Sequence, residues 1–194
     1  MAEEARKPAT YQDVLDAPEH MVAEVLGGEL HLHPRPKMRH TRAASSMGSS
    51  LHGAFDAGHR GPGGWIILYE PELHFGADIV VPDIAGWREE RFPIPDEPDP
   101  PFWTVAPDWA CEILSEGTAR VDRMKKVPLY ARESVGHVWL VEPVVRTIEV
   151  LRLRDSTYEL VGTWGGDEAP FAIEPFEAVS FPPEAFWGRA LGPR

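Results

Sequence analysis

Two acids stand in this chain where acids are costly. Asp83 closes the apolar run Ile79, Val80, Val81 in VVPD, directly after a proline, and Glu112 sits inside ACEILS among residues suited to a buried strand. An ionised carboxylate on a core strand costs several kcal/mol unless a cation meets it. The two positions are 29 residues apart (112 − 83). If their strands are neighbours, the carboxylates converge and repel, and they would share a proton unless a cation lies between them. Hard oxygen ligands of this kind suit Mg²⁺ or Mn²⁺, held by one or two carboxylates with waters and a phosphate. The backbone carbonyl of Ile113 is a further oxygen within reach. The competing account has Glu112 paired with an arginine and Asp83 capping a strand end.

Downstream, Asp122, Lys126 and Tyr130 follow one another at intervals of four. On a helix that spacing stacks them along one face. Lys126 would then reach back toward Glu112, whereas most helical lysines are simply solvated. A basic cluster, RPKMRHTR, carries Arg35, Lys37, Arg39 and Arg42 with His40 and no acid among them. It reads either as a phosphate-holding patch or as the solvated start of a helix. His31 and His33 alternate along one strand face, a two-histidine metal spacing with no third ligand nearby in the sequence. Cys111 should face away from Glu112 and act as a buried hydrophobe. The tryptophans lack interleaved basic residues and belong to the core. Ser115 has no Gly-x-Ser-x-Gly setting for a serine hydrolase.

The elements that must position these groups can be read in order. Residues 11–16 suggest a short helix capped by Thr10. MVAEVLGGELHLHP is a hairpin turning at Gly27-Gly28. Residues 37–57 place Met38, Ala44, Met47, Leu51 and Phe55 at helical spacing. GWIILYEPELHF and ADIVVPDIAGW read as strands, as do DWACEILS, GHVWLVEP, RTIEVLRLR and TYELVGTW. Between them, residues 89–107 hold prolines 93, 95, 98, 100, 101 and 107, which forbid regular structure. VDRMKKVPLYARES reads as a helix, with Pro128 acceptable only in a first turn or at a kink. Interleaved strands and helices predict an α/β chain with a mixed central β-sheet flanked by helices and an N-terminal β-hairpin.

The 194 residues fit one domain, with a core expected over about 20–155. Hydrophobic content of 43% and charged content of 26% are those of an ordinary globular protein. No apolar run approaches the ~20 residues of a membrane helix, MAEEARKPATYQDVL has no apolar signal region, and one cysteine allows no internal disulfide. The expectation is a cytoplasmic protein without membrane contact. A net charge of −12 argues against a general nucleic-acid coat.

Taken together, VVPD, CEILS and TARVDRMKK...YARESVGHVWLVEP resemble the Uma-two family of bacterial restriction-endonuclease-like proteins. AEVLGGEL, the histidine after RPKMR and the GHVWLVEP strand extend the likeness over about Ala23 to Val150. The resemblance implies the PD-(D/E)xK nuclease fold and hydrolysis of nucleic-acid phosphodiesters, DNA ahead of RNA. It implies Mg²⁺ (or Mn²⁺) on Asp83, Glu112 and Ile113, and a catalytic set of Glu24, Asp83, Glu112 and Lys126. Arg39, His40 and Arg42 would hold the flanking backbone. The wider superfamily places its lysine two residues after the second acid, where this chain has Leu114. The resemblance therefore moves that role to Lys126, ahead of its neighbour Lys125. A homodimer is left open, and so is a catalytically inactive nuclease-fold binding or assembly protein.

Overall fold

The computed structural model describes residues 7–94, 101–166 and 170–188. After a one-turn helix α1 (Tyr11–Leu15), opened by Thr10 N–H donating to Asp13 at 2.7 Å, strands β1 (Met21–Leu26) and β2 (Glu29–Pro34) form the expected hairpin. Gly27 and Gly28 turn it with φ of 62° and 78°. Two consecutive left-handed residues are what a tight two-residue turn demands. Helix α2 (Met38–Leu51) follows, extended by a π-turn over His52–Asp56.

The two expected strands after it are four. β3 (Trp65–Tyr69), β4 (Leu73–Phe75), β5 (Asp78–Val80) and β6 (Ile84–Arg88) divide between two sheets. β7 (Trp109–Ile113), β8 (His137–Glu142), β9 (Thr147–Arg154) and β10 (Thr157–Gly165) complete the strands. The larger sheet has the order β10-β9-β8-β7-β6-β3, and the smaller has β2-β1-β5-β4. The larger sheet is mixed, because β7 and β8 run parallel while its other pairs are antiparallel. The run ADIVVPDIAGW thus leaves one sheet at Val80 and enters the other at Ile84. Pro82 sits in the gap, where it has no ladder hydrogen bond to donate.

Helical residues 119–132 comprise α3 (Ala119–Val121), a π-turn (Asp122–Lys126) and α4 (Val127–Arg132). The missing N–H of Pro128 is absorbed by the widened turn before it, so the helix continues instead of breaking. One face of the larger sheet packs on α2 through Met47, Leu51, Trp109, Trp139, Phe176 and Phe186. Its other face packs Trp87, Ala110, Leu140, Leu129 and Tyr130 with Leu26 and Val80 of the smaller sheet. The C-terminal segment, including α5 (Glu184–Trp187), joins the first of these cores, so packing extends beyond residue 155. Of the proline-rich span, residues 95–100 lie outside the described residues. Its flanks do not hang free: Phe92 and Trp103 pack on Trp87, whose Nε1–H donates to Val105 O at 3.0 Å. Among the described residues no helix is long and apolar enough to cross a membrane.

Candidate active site

The junction between the sheets gathers the acids. Glu24 comes from β1, Asp83 from the crossing segment, Glu112 from β7, and Asp122 and Lys126 from the π-turn. The ladder pairs Ile84 with Cys111 and Ala85 with Ala110. Carried one step further, it brings Asp83 opposite Glu112, and opposed residues of an antiparallel pair share a face. Cys111, one residue along, turns the other way and packs its thiol 3.7 Å from Met47 Sδ.

Lys126 is the centre of this group. Its Nζ lies 2.9 Å from Glu24 Oε1, 3.1 Å from Glu112 Oε2 and 3.6 Å from Asp122 Oδ1, and it donates to Val81 O at 3.2 Å. Only 5% of the residue is exposed. Burial opposes its charge, but Glu112, Glu24 and Asp122 outweigh burial and hold its pKa well above that of a free lysine. The neighbouring Lys125 instead reaches Glu29 at 3.3 Å on the surface. The Asp122, Lys126, Tyr130 spacing does share a face: the Tyr130 hydroxyl donates to Glu112 Oε1 at 2.5 Å.

The acids are not equivalent. Burial acts to raise the pKa of Glu24, yet Lys126, the His33 imidazole and the Val81 N–H, donating at 2.8 Å, pull it below the ordinary carboxylate value. Glu112 goes the other way: burial pushes it well above the usual range, and Lys126 does not offset this. Asp122 is also raised by burial. One ammonium therefore serves three buried acids, and Glu112 is left under-compensated. Asp83 accepts from the Ile113 N–H at 2.6 Å, and its other oxygen lies 3.1 Å from His40 Nε2. Burial acts to lower His40, but Asp83 overcomes it and raises the imidazole pKa. His40, expected to hold nucleic acid, thus faces an acid of the cluster.

Glu24, Asp83, Glu112, Asp122, Lys126 and His40 line one cavity of about 710 Å³. The model of the Uma2 family, described as "Putative restriction endonuclease", matches residues 8–182. The chain belongs to the Uma2 family. A crystal structure titled as a "putative nuclease belonging to DUF820", from Anabaena variabilis ATCC 29413, superimposes on this Uma2 chain with a TM-score of 0.75. The two are 21% identical over 93% of this chain and 98% of that one, a likeness of fold. No curated protein matches the chain.

Within this Uma2 fold, the remaining expected residues divide. Arg39 is exposed on the cavity lining, with Arg35 and Lys37. Arg42 is not on that lining; its guanidinium packs against Gly188 beyond α5. Ile113 meets Asp83 through its N–H. His31 and His33 stack with ring centres 6.4 Å apart, and His33 Nε2 lies 3.4 Å from Glu24 Oε2. Tyr130 is the participant whose role the sequence did not reveal, although its spacing from Lys126 was the signal.

A divalent cation placed here would be offered the carboxylates of Asp83 and Glu112. Among the described residues no group of three His, Cys, Asp or Glu side chains is placed to hold a metal ion. Yet Glu24 Oε2 is buried with no closer partner than His33 Nε2 at 3.4 Å, and Glu112, though held by Lys126 and the Tyr130 hydroxyl, has its pKa raised by burial. A hard cation beside Asp83 and Glu112 would relieve that excess of negative charge, and Mg²⁺ commonly binds to one or two carboxylates with waters.

Proposed function

We propose that this Uma2 protein is a metal-dependent endonuclease of the PD-(D/E)xK type that hydrolyses phosphodiester bonds of nucleic acid, DNA ahead of RNA. The observation that carries the reading is Lys126, buried within reach of Glu24 and Glu112 in a cavity that Asp83 shares. A structural ion pair alone would not need three acids for one lysine, because burying surplus carboxylates is costly. The family description and the nuclease-named fold neighbour support a nuclease.

Asp83 and Glu112, with the Ile113 carbonyl, are the residues that would hold Mg²⁺ or Mn²⁺. When bound, such an ion polarises a phosphate oxygen and lowers the pKa of water. His40 fixes the Asp83 carboxylate from one side while the Ile113 N–H fixes it from the other. Tyr130, kept protonated by burial and by Glu112, orients the Glu112 carboxylate. Lys126 supplies positive charge toward a phosphate at the cavity floor, and Glu24 holds Lys126 against the Val81 backbone. In the overall reaction a water oxygen bonds to phosphorus as a P–O ester bond breaks. The products are a phosphate monoester and a hydroxyl.

The test is cleavage of DNA in Mg²⁺ or Mn²⁺ by the wild type, Asp83→Asn and Glu112→Gln. Cleavage by the wild type alone is the expected result. A second reading, a nuclease-fold binding protein without catalysis, is favoured by the net charge of −12 and by Lys126 already resting among the acids. Nucleic-acid binding by the wild type without cleavage in either metal would select it.

A further inference from the structure

Resting on the nuclease reading, we propose that the site takes an unpaired strand, either single-stranded nucleic acid or a segment displaced from a duplex. Three independent observations lead there. The first is depth. Glu24, Glu112 and Lys126 are 1%, 2% and 5% exposed, at the floor of the cavity. A duplex holds its two strands together as one wide rod, so neither backbone can enter a recess of about 710 Å³ unless the pairing opens. A single strand rotates about each backbone bond and can.

The second is charge. Tracking a duplex needs many phosphate contacts, whose charge-driven affinity comes from lysine and arginine. The cavity lining offers Arg35, Lys37 and Arg39, on a chain whose net charge is −12. Arg35 is moreover 4.0 Å from Glu70. This footprint suits a few consecutive phosphates entering one opening, not a long helical track.

The third is the apolar lining. Met38 is 67% exposed at the start of α2, and Val144, in the turn between β8 and β9, is 63% exposed; both line the cavity. Met38 lies on the opposite side of α2 from the fully buried Met47 and Leu51, on the cavity side. Its side chain is free to meet something apolar from outside. Exposed apolar side chains on the rim of such a site can lie against the flat apolar faces of unpaired bases. Among the described residues no Phe, Tyr or Trp is on the lining, so the contact is with base faces in general, without the strong stacking that would favour one base.

The experiment compares a short single-stranded oligonucleotide, its blunt duplex, and that duplex with an unpaired bulge, using the full chain in Mn²⁺. Binding is read by fluorescence anisotropy and cleavage by gel. The single strand and the bulged duplex should bind at least about tenfold more tightly than the blunt duplex, about 1.4 kcal/mol, with cuts confined to unpaired segments. A Met38→Ser, Val144→Ser double variant should lose most of that preference while its Tm and the Tm increase on adding Mn²⁺ stay at wild-type values. Equal binding and cleavage of blunt duplex overturns the unpaired-strand inference and leaves the nuclease standing. Absence of cleavage on all three probes overturns both.

Discussion

The Nζ of Lys126 lies 3.1 Å from Glu112 Oε2, with both side chains buried. The pair joins a π-turn to a central strand, and Glu24, from the other sheet, closes on the same ammonium at 2.9 Å. Under the proposed function, folding and catalysis are coupled at this lysine: the side chain that would meet a phosphate also neutralises acids that would otherwise repel one another.

Lys126→Met should destabilise the protein by about 3–5 kcal/mol, the usual effect of removing one partner from a buried ion pair. Lys125→Met should change stability by under ~1 kcal/mol, because its Glu29 contact is exposed. Chemical denaturation of both variants checks this. Adding Glu112→Gln to Lys126→Met should restore part of the loss, since an uncompensated charge goes with it.

Glu112→Gln alone carries a pH signature. The folded-state pKa of Glu112 lies well above its unfolded value, so folding favours the protonated form and ionisation is a penalty. That penalty is complete above the folded pKa, shrinks as pH falls through it, and vanishes below the ordinary carboxylate value. The variant should match or exceed wild-type Tm at neutral and alkaline pH, with the gap closing on acidification. Melting curves across pH decide; a variant less stable than wild type at alkaline pH contradicts the assignment.

How far the site was legible follows from where its partners lie. The Gly27-Gly28 hairpin, the opposite faces of Cys111 and Glu112, and the Asp122, Lys126, Tyr130 stripe are local patterns, and each appears as the sequence implies. The sheet switch at Pro82 was not legible, because β5 and β6 read as one apolar run and their partners lie elsewhere in the chain. Pro128 left the helix uncertain, since a π-turn leaves no mark in composition. The burial of Lys126 depends on Glu24, about a hundred residues upstream (126 − 24 = 102). Arg42 was read with Arg39 from the charge cluster alone. Its contact with Gly188 comes from α5 packing along α2, which no local pattern announces.

His40 should add stability at acid pH. Its pKa is raised in the folded state, so its contribution is complete below the ordinary value of about 6.5 and is lost as pH rises through the folded pKa. His40→Gln should therefore cost roughly 1–2 kcal/mol near pH 5 and less above pH 8. Paired denaturation curves at the two pH values measure it; a cost independent of pH would mean that His40 is not paired with Asp83.

Tyr130→Phe removes the donor to Glu112 Oε1 and should destabilise by about 1–3 kcal/mol, as for a buried acceptor left unpaired. In a Glu112→Leu background the same change should be much smaller. The double-mutant cycle gives the coupling directly, and additive effects would show that the hydroxyl does not serve Glu112.

The most direct measurement is cleavage of a single-stranded oligonucleotide in Mg²⁺ or Mn²⁺ by wild type and Glu112→Gln, each confirmed folded by its melting transition. Wild type should cut, and the variant should cut at least ~100-fold more slowly, the scale of losing one transition-state electrostatic element. Its Tm should also no longer rise on adding the metal. Equal cleavage by both proteins, or none by wild type with either metal, would contradict a hydrolytic centre built on Asp83, Glu112 and Lys126.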